Sequence, residues 1–367
     1  MRSLSSPPVV FVRQRIEHMG SHSGYDQLVP PLAQMLRSTH SVFLEHHDQS
    51  ALVHRLLSSA TWRIYRTPFY NQHNLRSELR ALWWKPLTRK IIHVLYSEDN
   101  LGLLARFRGR PDNRVVATVH QPLAWWQRQG TDPARLLDRL GGVIALSKSE
   151  AQAFSLATRA PVHFVPHGID VDFFCPAEDS SVAARAANAF RRCIFVGNWL
   201  RDYRTLHDTI VLLAQRKAHI RFDLVTPEKA PRSPEDQALL AALVARADVV
   251  WHRDVDDIGL RQLYRSADLL LLPLRESTAN NAVLEAMACG LPIVTNHTTG
   301  IADYTDSAYA SVTAAGDAAA MADSSLRLLD DTPMRQAMAR AARAAAVRVY
   351  SWQAVAASMK HIYESLA

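Results

Sequence analysis

The 367-residue chain has few cysteines: Cys175, Cys193 and Cys289, odd in number, far apart and without CxxC or Cys/His ligand spacing. Neither a disulfide framework nor a zinc site is expected, and a reducing cytoplasm is the expected compartment. No run reaches the roughly 18 apolar residues that a membrane span needs. Met1 to Val12 has no hydrophobic stretch of signal-peptide length. Any work at a membrane is therefore expected from one side, its inner face. There is no short tandem repeat, and the only compositional bias, the alanines of 314–349, is explained by helix propensity. Lys and Arg outnumber Asp and Glu by 42 to 35, which points to an anionic partner: nucleic acid, acidic lipid or a phosphorylated ligand. Because the basic residues are dispersed and match no nucleic-acid-reading motif, nucleic acid is the remotest of the three.

What is present is an ordinary globular composition, 48% hydrophobic, on a chain long enough for two cores. Short β-branched runs alternate with helical stretches, the pattern of parallel sheets wrapped by helices. In the first half strands are expected at 9–12, 41–45, 91–96, 115–120, 143–147 and 162–166. In the second half they are expected at 193–196, 221–225, 249–252, 269–272, 292–295 and 309–312. Turn chemistry at Gly168 and Pro176 marks a hinge, dividing the chain into residues 1–175 and 176–349. In residues 350–367, apolar Trp352, Val355, Ala356, Met359, Ile362 and Tyr363 predict an amphipathic helix.

The segment Leu269 to Thr295 reads as a buried strand, a polar loop, a helix, Gly290 and another strand. In doubly wound sheets ligands bind at the carboxyl ends of strands, where this loop falls. A helix starting near Asn280 or Asn281 would offer free N–H groups and a positive dipole end to an anion such as a diphosphate. Glu285, one turn further in, could accept hydrogen bonds from sugar hydroxyls.

Residues 284–295, LEAMACGLPIVT, resemble the signature of family 4 glycosyltransferases, retaining enzymes of the GT-B fold. Further similarity is collinear: Val165 to Pro176 resembles the family's interdomain segment, and Phe195 to Asn198 the first strand and loop of its nucleotide-binding domain. Gly316-Asp317 and Tyr350 to Trp352 resemble the closing segment and the helix that crosses back. The resemblance implies two Rossmann-like α/β domains facing a cleft, 1–175 for the acceptor and 176–349 for the nucleotide sugar, with 350–367 packing back on the first. It implies a sugar-nucleotide donor, a glycan or lipid-linked acceptor, and bacterial polysaccharide or lipopolysaccharide assembly. No separate cofactor is implied.

By the same resemblance Glu285 matches the second acid of a Glu-x7-Glu motif that binds the ribose. The first acid should stand at position 277, which is Ser277, with Glu276 one residue off. Expected donor contacts are Gly24, Asn198, Arg201, Arg204, Thr226, Ser277, Thr278, Ala279, Asn280, Asn281, Ala282 and Glu285. Arg201 and Arg204 stand where the family has an Arg and a Lys for the diphosphate, and guanidinium forks suit phosphate oxygens. The alternative is a solvated helix face. Gly20, Ser23, Tyr25 and Trp125 are expected at the acceptor. His120 is expected at the donor sugar, or else is a strand-end histidine satisfied by backbone. Ser147 reads first as a helix cap, with Glu150 three residues on, and Lys148 as a phosphate contact.

Catalytic roles are thus expected for His120, Arg201 and Glu285. No metal requirement is expected, because arginines and helix N–H groups can carry the leaving-group charge and no Asp-x-Asp pair stands out at a strand end. The rival readings are a sugar-nucleotide epimerase or a phosphorylase on the same architecture, and remotely a nucleic-acid-binding protein. Residues 62–66 and 79–90 mix aromatics with cations, which fits either peripheral contact with an acidic membrane or Trp83 and Trp84 as core or acceptor-pocket residues under a basic helix.

Overall fold

The computed structural model describes residues 7–14, 21–43, 59, 61, 70–86, 88–106, 114–177, 190–216, 219–228, 231 and 233–366. All twelve expected strands are present. β1 is Val9–Arg13, β2 Thr39–Phe43, β3 Ile91–Val94, β4 Arg114–Val119, β5 Gly142–Ala145 and β6 Val162–Phe164. They form one sheet in the order β2-β1-β3-β4-β5-β6 with every described pairing parallel. β7 is Arg191–Val196, β8 Ile220–Thr226, β9 Val249–Arg253, β10 Leu269–Leu272, β11 Ile293–Asn296 and β12 Ala310–Thr313. These form the second sheet, order β12-β11-β10-β7-β8-β9, again parallel. Central strands covered by helices on both faces carry unbroken apolar runs. Leu269 to Leu272 is such a run, all four residues buried.

The chain divides into two compact units. The first comprises residues 1–17, 24–167 and 352–367, and the second residues 18–23 and 168–351. The division falls at His167/Gly168 rather than at 175/176 because Ile169, Val171 and Phe174 are buried in the second core, and Ile169 N–H bonds the Tyr350 carbonyl at 2.8 Å. In each sheet the chain leaves one strand toward one edge and later returns to that strand's other side. Such a reversal opens a crevice at the carboxyl ends of the strands on either side of it. These are β1 and β3 in the first unit and β7 and β10 in the second.

The helix Trp352–Ser365 is a member of the first unit, burying Trp352, Val355, Ala356, Met359 and Tyr363, five of the six apolar positions expected to face inward. Tyr363 Oη lies 2.5 Å from His93 Nδ1, and His93 Nε2 is 2.8 Å from Thr118 Oγ1. Burial pushes the His93 imidazole down to about 3, so this inner link is neutral. Among the described residues no helix is long and apolar enough to cross a membrane.

Candidate active site

In the second unit, the loops after β7 and β10 meet at the reversal point. β7 is followed by Gly197, which adopts φ +91°, a conformation that favours glycine. A Cβ there would stand 2.7 Å from Arg201 Nη2, so the glycine also makes room for the arginine. Arg201 gives Nε–H to the Val196 carbonyl at 2.9 Å and Nη1–H to the Trp199 carbonyl at 3.0 Å, and Nη2 faces Asn280 Oδ1 at 3.5 Å. The two loops are laced by main-chain bonds from Asp202 N–H to the Pro273 carbonyl and from Arg275 N–H to the Leu200 carbonyl. Burial pushes the Arg201 guanidinium down to about 10, still charged at neutral pH. Among the described residues it forms no ion pair.

Beside it begins the helix Asn281–Ala288, capped by Asn280, whose side chain accepts Ala282 N–H at 3.1 Å. Helix N-termini carry unpaired N–H groups and partial positive charge. Two sources of positive potential therefore converge here. Ser277 is buried and its hydroxyl has no hydrogen-bond partner among the described residues, whereas Glu276 is half-buried, so the slot eight residues before Glu285 is filled by a neutral hydroxyl. The loop after β11 backs this turn through Gly300, whose N–H bonds the Ser277 carbonyl at 3.0 Å. Any Cβ at Gly300 would lie 2.2 Å from that carbonyl oxygen.

Glu285 is buried, and hydroxyl groups hold both of its oxygens. Ser23 Oγ–H donates to Oε1 at 2.6 Å and Tyr264 Oη–H to Oε2 at 2.8 Å. Burial raises its pKa, and the two hydroxyls act against that rise. Ser23 arrives on a stretch whose described residues are 21–23. Ser21 N–H donates to Asp257 at 2.6 Å. His22 Nδ1 is 2.7 Å from Asp170, and its ring stacks 3.6 Å from Phe173. The Ser23 carbonyl accepts from Asn281 Nδ2 at 3.1 Å.

The structure thus brings together Ser23, Arg201, Ser277, Asn280, Asn281, Ala282 and Glu285. Asn198, Thr278 and Ala279 line the same two loops, half-buried. Other expectations separate from this group. Arg204 is 60% exposed and forks onto Glu235 at 2.7 Å, on the solvated flank of the helix Tyr203–Arg216. Thr226 is buried at the end of β8, where its hydroxyl accepts Trp251 Nε1–H at 2.9 Å. Gly20 lies outside the described residues. Asp254 and Asp256 are used in turns, accepting Glu228 N–H and capping the helix Asp257–Ser266.

In the first unit, His120 follows β4. Its N–H and that of Gln121 both donate to Glu98 Oε1, at 2.6 and 2.7 Å. His120 Nε2 lies 2.8 Å from the Leu95 carbonyl. A carbonyl only accepts, so Nε2 carries the proton and the Nδ1 lone pair is an acceptor. The ring stacks on Tyr96 with centroids 4.6 Å apart, and burial pushes its pKa down to about 4. The reading of a strand-end histidine held by backbone thus describes one ring nitrogen. Glu98, buried and pushed up to about 6 by desolvation, was missed. The polar run Glu98-Asp99-Asn100 directly after an apolar strand was its signal.

Tyr25 is fully buried, its ring among Tyr96, His120, His167 and Trp352, so it packs behind His120 instead of reaching outward to an acceptor. Gly24 is extended, at φ −72°, before the turn Tyr25–Leu28. Trp125 is half-buried against the fully buried Trp126. Ser147 caps the helix Lys148–Ala157, accepting Glu150 N–H at 3.2 Å, but the Glu150 carboxylate reaches to Leu123 N–H instead of back to the cap.

Residues 191–331 match the family described as Glycosyl transferases group 1. The chain is 30% identical over 212 residues to a D-inositol 3-phosphate glycosyltransferase of Xylanimonas cellulosilytica, covering 55% of this chain and 51% of that protein. It spans about half the length of the first curated relatives it matches. Among solved structures it is similar to sucrose-phosphate synthase from Thermosynechococcus elongatus, with a TM-score of 0.72 at 18% identity, over 98% of this chain and 99% of that one. It is also similar to Anabaena Alr3699/HepE in complex with UDP-glucose, with a TM-score of 0.68 at 18% identity, over 98% of this chain and 100% of that one. The fold is GT-B, as expected.

Proposed function

We propose that this chain, whose residues 191–331 are a group 1 glycosyl transferase domain, moves a sugar from a nucleoside-diphosphate donor to a glycan or lipid-linked acceptor, with retention of configuration. The observation that carries this reading is Arg201, a half-buried cation that forms no ion pair among the described residues, at the positive end of the helix Asn281–Ala288. Burying an uncompensated charge is costly, and a departing diphosphate supplies the missing anion. Glu285 then takes a ribose hydroxyl and Ser277 a hydroxyl of the donor sugar.

In the transfer the bond between the anomeric carbon and the diphosphate oxygen breaks, and the acceptor oxygen bonds the same carbon from the same face. The acceptor proton passes to the departing phosphate oxygen. Arg201 and the helix N–H groups stabilise the charge that develops on the leaving group. The test is thermal stabilisation by UDP-, GDP-, ADP- and dTDP-sugars, UDP-glucose first because the similar Alr3699/HepE was solved with it. One donor class should raise the melting temperature, and Glu285→Ala should abolish the rise. If no nucleotide sugar stabilises the wild type, the reading fails.

The acceptor would be met at an acidic membrane, from the cytoplasmic side, as part of bacterial polysaccharide or lipopolysaccharide assembly. The helix Gln72–Trp83 supports this. Asn71 and Asn74 form a reciprocal cap at its start, and its outer stripe exposes Arg76, Leu79, Arg80 and Trp83, the last at 77%. Lys85 and Arg89 follow, also exposed, and the only acid of the helix, Glu78, is buried. Residues 62–66, the other aromatic-basic segment, lie outside the described residues.

Each cation near an anionic surface contributes about 1 kcal/mol. Arg76→Ala/Arg80→Ala should therefore lower partitioning onto phosphatidylglycerol vesicles about thirtyfold at low salt. Salt at molar strength should do the same to the wild type. Equal flotation of variant and wild type would remove the membrane from the proposal.

A further inference from the structure

We infer that Ser23 is an internal competitor for the nucleotide, its hydroxyl occupying on Glu285 the place that a ribose hydroxyl takes in the complex. The inference rests on the reading of Glu285 proposed above. The two hydroxyls on this carboxylate are differently founded. Tyr264 is fixed: it is fully buried, packs its ring against Phe174, and its hydroxyl also lies 3.4 Å from the Ala282 carbonyl. Ser23 is held through polar contacts along residues 21–23, to Asp257, Asp170 and Asn281, and through the stacking of His22 on Phe173. Among the described residues, the Oε1 side of Glu285 is thus closed by a group from a short stretch, and the Oε2 side by a core residue.

The chemistry of the two occupants is the same. Serine and ribose each offer an O–H to a buried carboxylate, and at 2.6 Å the serine bond is short and charge-assisted. A nucleotide that takes Oε1 therefore exchanges one hydroxyl for another and gains only the difference. Freed of Glu285, residues 21–23 lose one of the five contacts described above, so nucleotide occupancy and the position of this stretch are linked. Ser23, expected at the acceptor, thereby acts on nucleotide affinity.

The sign of one substitution decides the matter. By calorimetry with UDP, GDP, ADP and dTDP, Ser23→Ala should bind the preferred nucleotide about tenfold more tightly than the wild type, the size expected when a charge-assisted bond no longer has to be displaced. Ser23→Thr, which keeps the hydroxyl, should stay within about twofold of the wild type by the same reasoning. His22→Ala, which loosens the stretch without touching Glu285, should shift affinity in the same direction as Ser23→Ala. Unchanged or weaker binding by Ser23→Ala overturns the inference and makes Ser23 a direct ligand contact or a structural residue. If the wild type binds none of these nucleotides, or Glu285→Ala binds as well as the wild type, the ribose reading of Glu285 is what fails, and the role of Ser23 falls with it.

Discussion

Arg201→Ala is expected to weaken nucleoside-diphosphate binding by two to three orders of magnitude, while the melting temperature of the ligand-free protein changes little. A guanidinium giving two charge-assisted bonds to phosphate oxygens contributes about 3–4 kcal/mol to binding. In the free protein the same side chain is poorly compensated. It gains bonds to the Val196 and Trp199 carbonyls but holds its charge where burial disfavours it. These effects offset one another, so the substitution should cost the empty protein no more than about 1 kcal/mol. Calorimetric titration beside a thermal melt reads both quantities. A large fall in the ligand-free melting temperature with unchanged nucleotide affinity would make Arg201 a clasp between the β7 and β10 loops and nothing more.

The second large effect concerns stability and pH. Glu78 is completely buried in the first unit. Its Oε1 accepts Gly102 N–H at 3.1 Å, and its Oε2 accepts Leu104 N–H at 2.7 Å and the Tyr70 hydroxyl at 3.1 Å. Burial pushes its pKa up from 4.5 to about 8, against the pull of these donors. Between those values the folded chain holds a proton that the unfolded chain has released, so stability falls as pH rises across the window. Glu78→Gln keeps the shape and cannot ionise. At pH 5 it should be about 1 kcal/mol less stable than wild type, because an amide replaces an acceptor oxygen with a donor nitrogen. By pH 8 it should be the more stable by a few kcal/mol. Urea unfolding at pH 5, 6.5 and 8 would show the two curves crossing. A difference that does not vary with pH would mean that Glu78 ionises in the folded chain as it does in the unfolded one.

The fold was legible because it rests on local patterns. Runs such as Val9 to Val12 and Leu269 to Leu272 bury both faces and declare themselves by composition, and the errors are small shifts of boundary, as at β2, which starts two residues early at Thr39. The helix after Asn280 and the cap at Ser147 were equally readable, since each depends on residues within one turn. The site was legible only where one segment carries it. That Ser23 donates to Glu285, 262 positions away, follows from how the chain is folded and from nothing in either neighbourhood. Arg204 looked equivalent to Arg201 until Glu235, 31 positions on, claimed it. Glu98 holding the turn at His120 was hidden in the same way, although the acid itself stood in plain view after its strand.

The return of Trp352–Ser365 to the first unit sets an order of events during synthesis. Residues 24–167 leave the ribosome long before the helix that completes their unit. At about 5–20 residues per second, the 184 intervening residues, 168–351, take about ten to forty seconds to make. Throughout that interval the surfaces that will receive Trp352 and Tyr363, among them Tyr25 and His93, have no cover. The second unit can finish first, although its gene segment comes later. A nascent chain arrested anywhere before codon 352 should therefore present to chaperones a first unit with one wall missing.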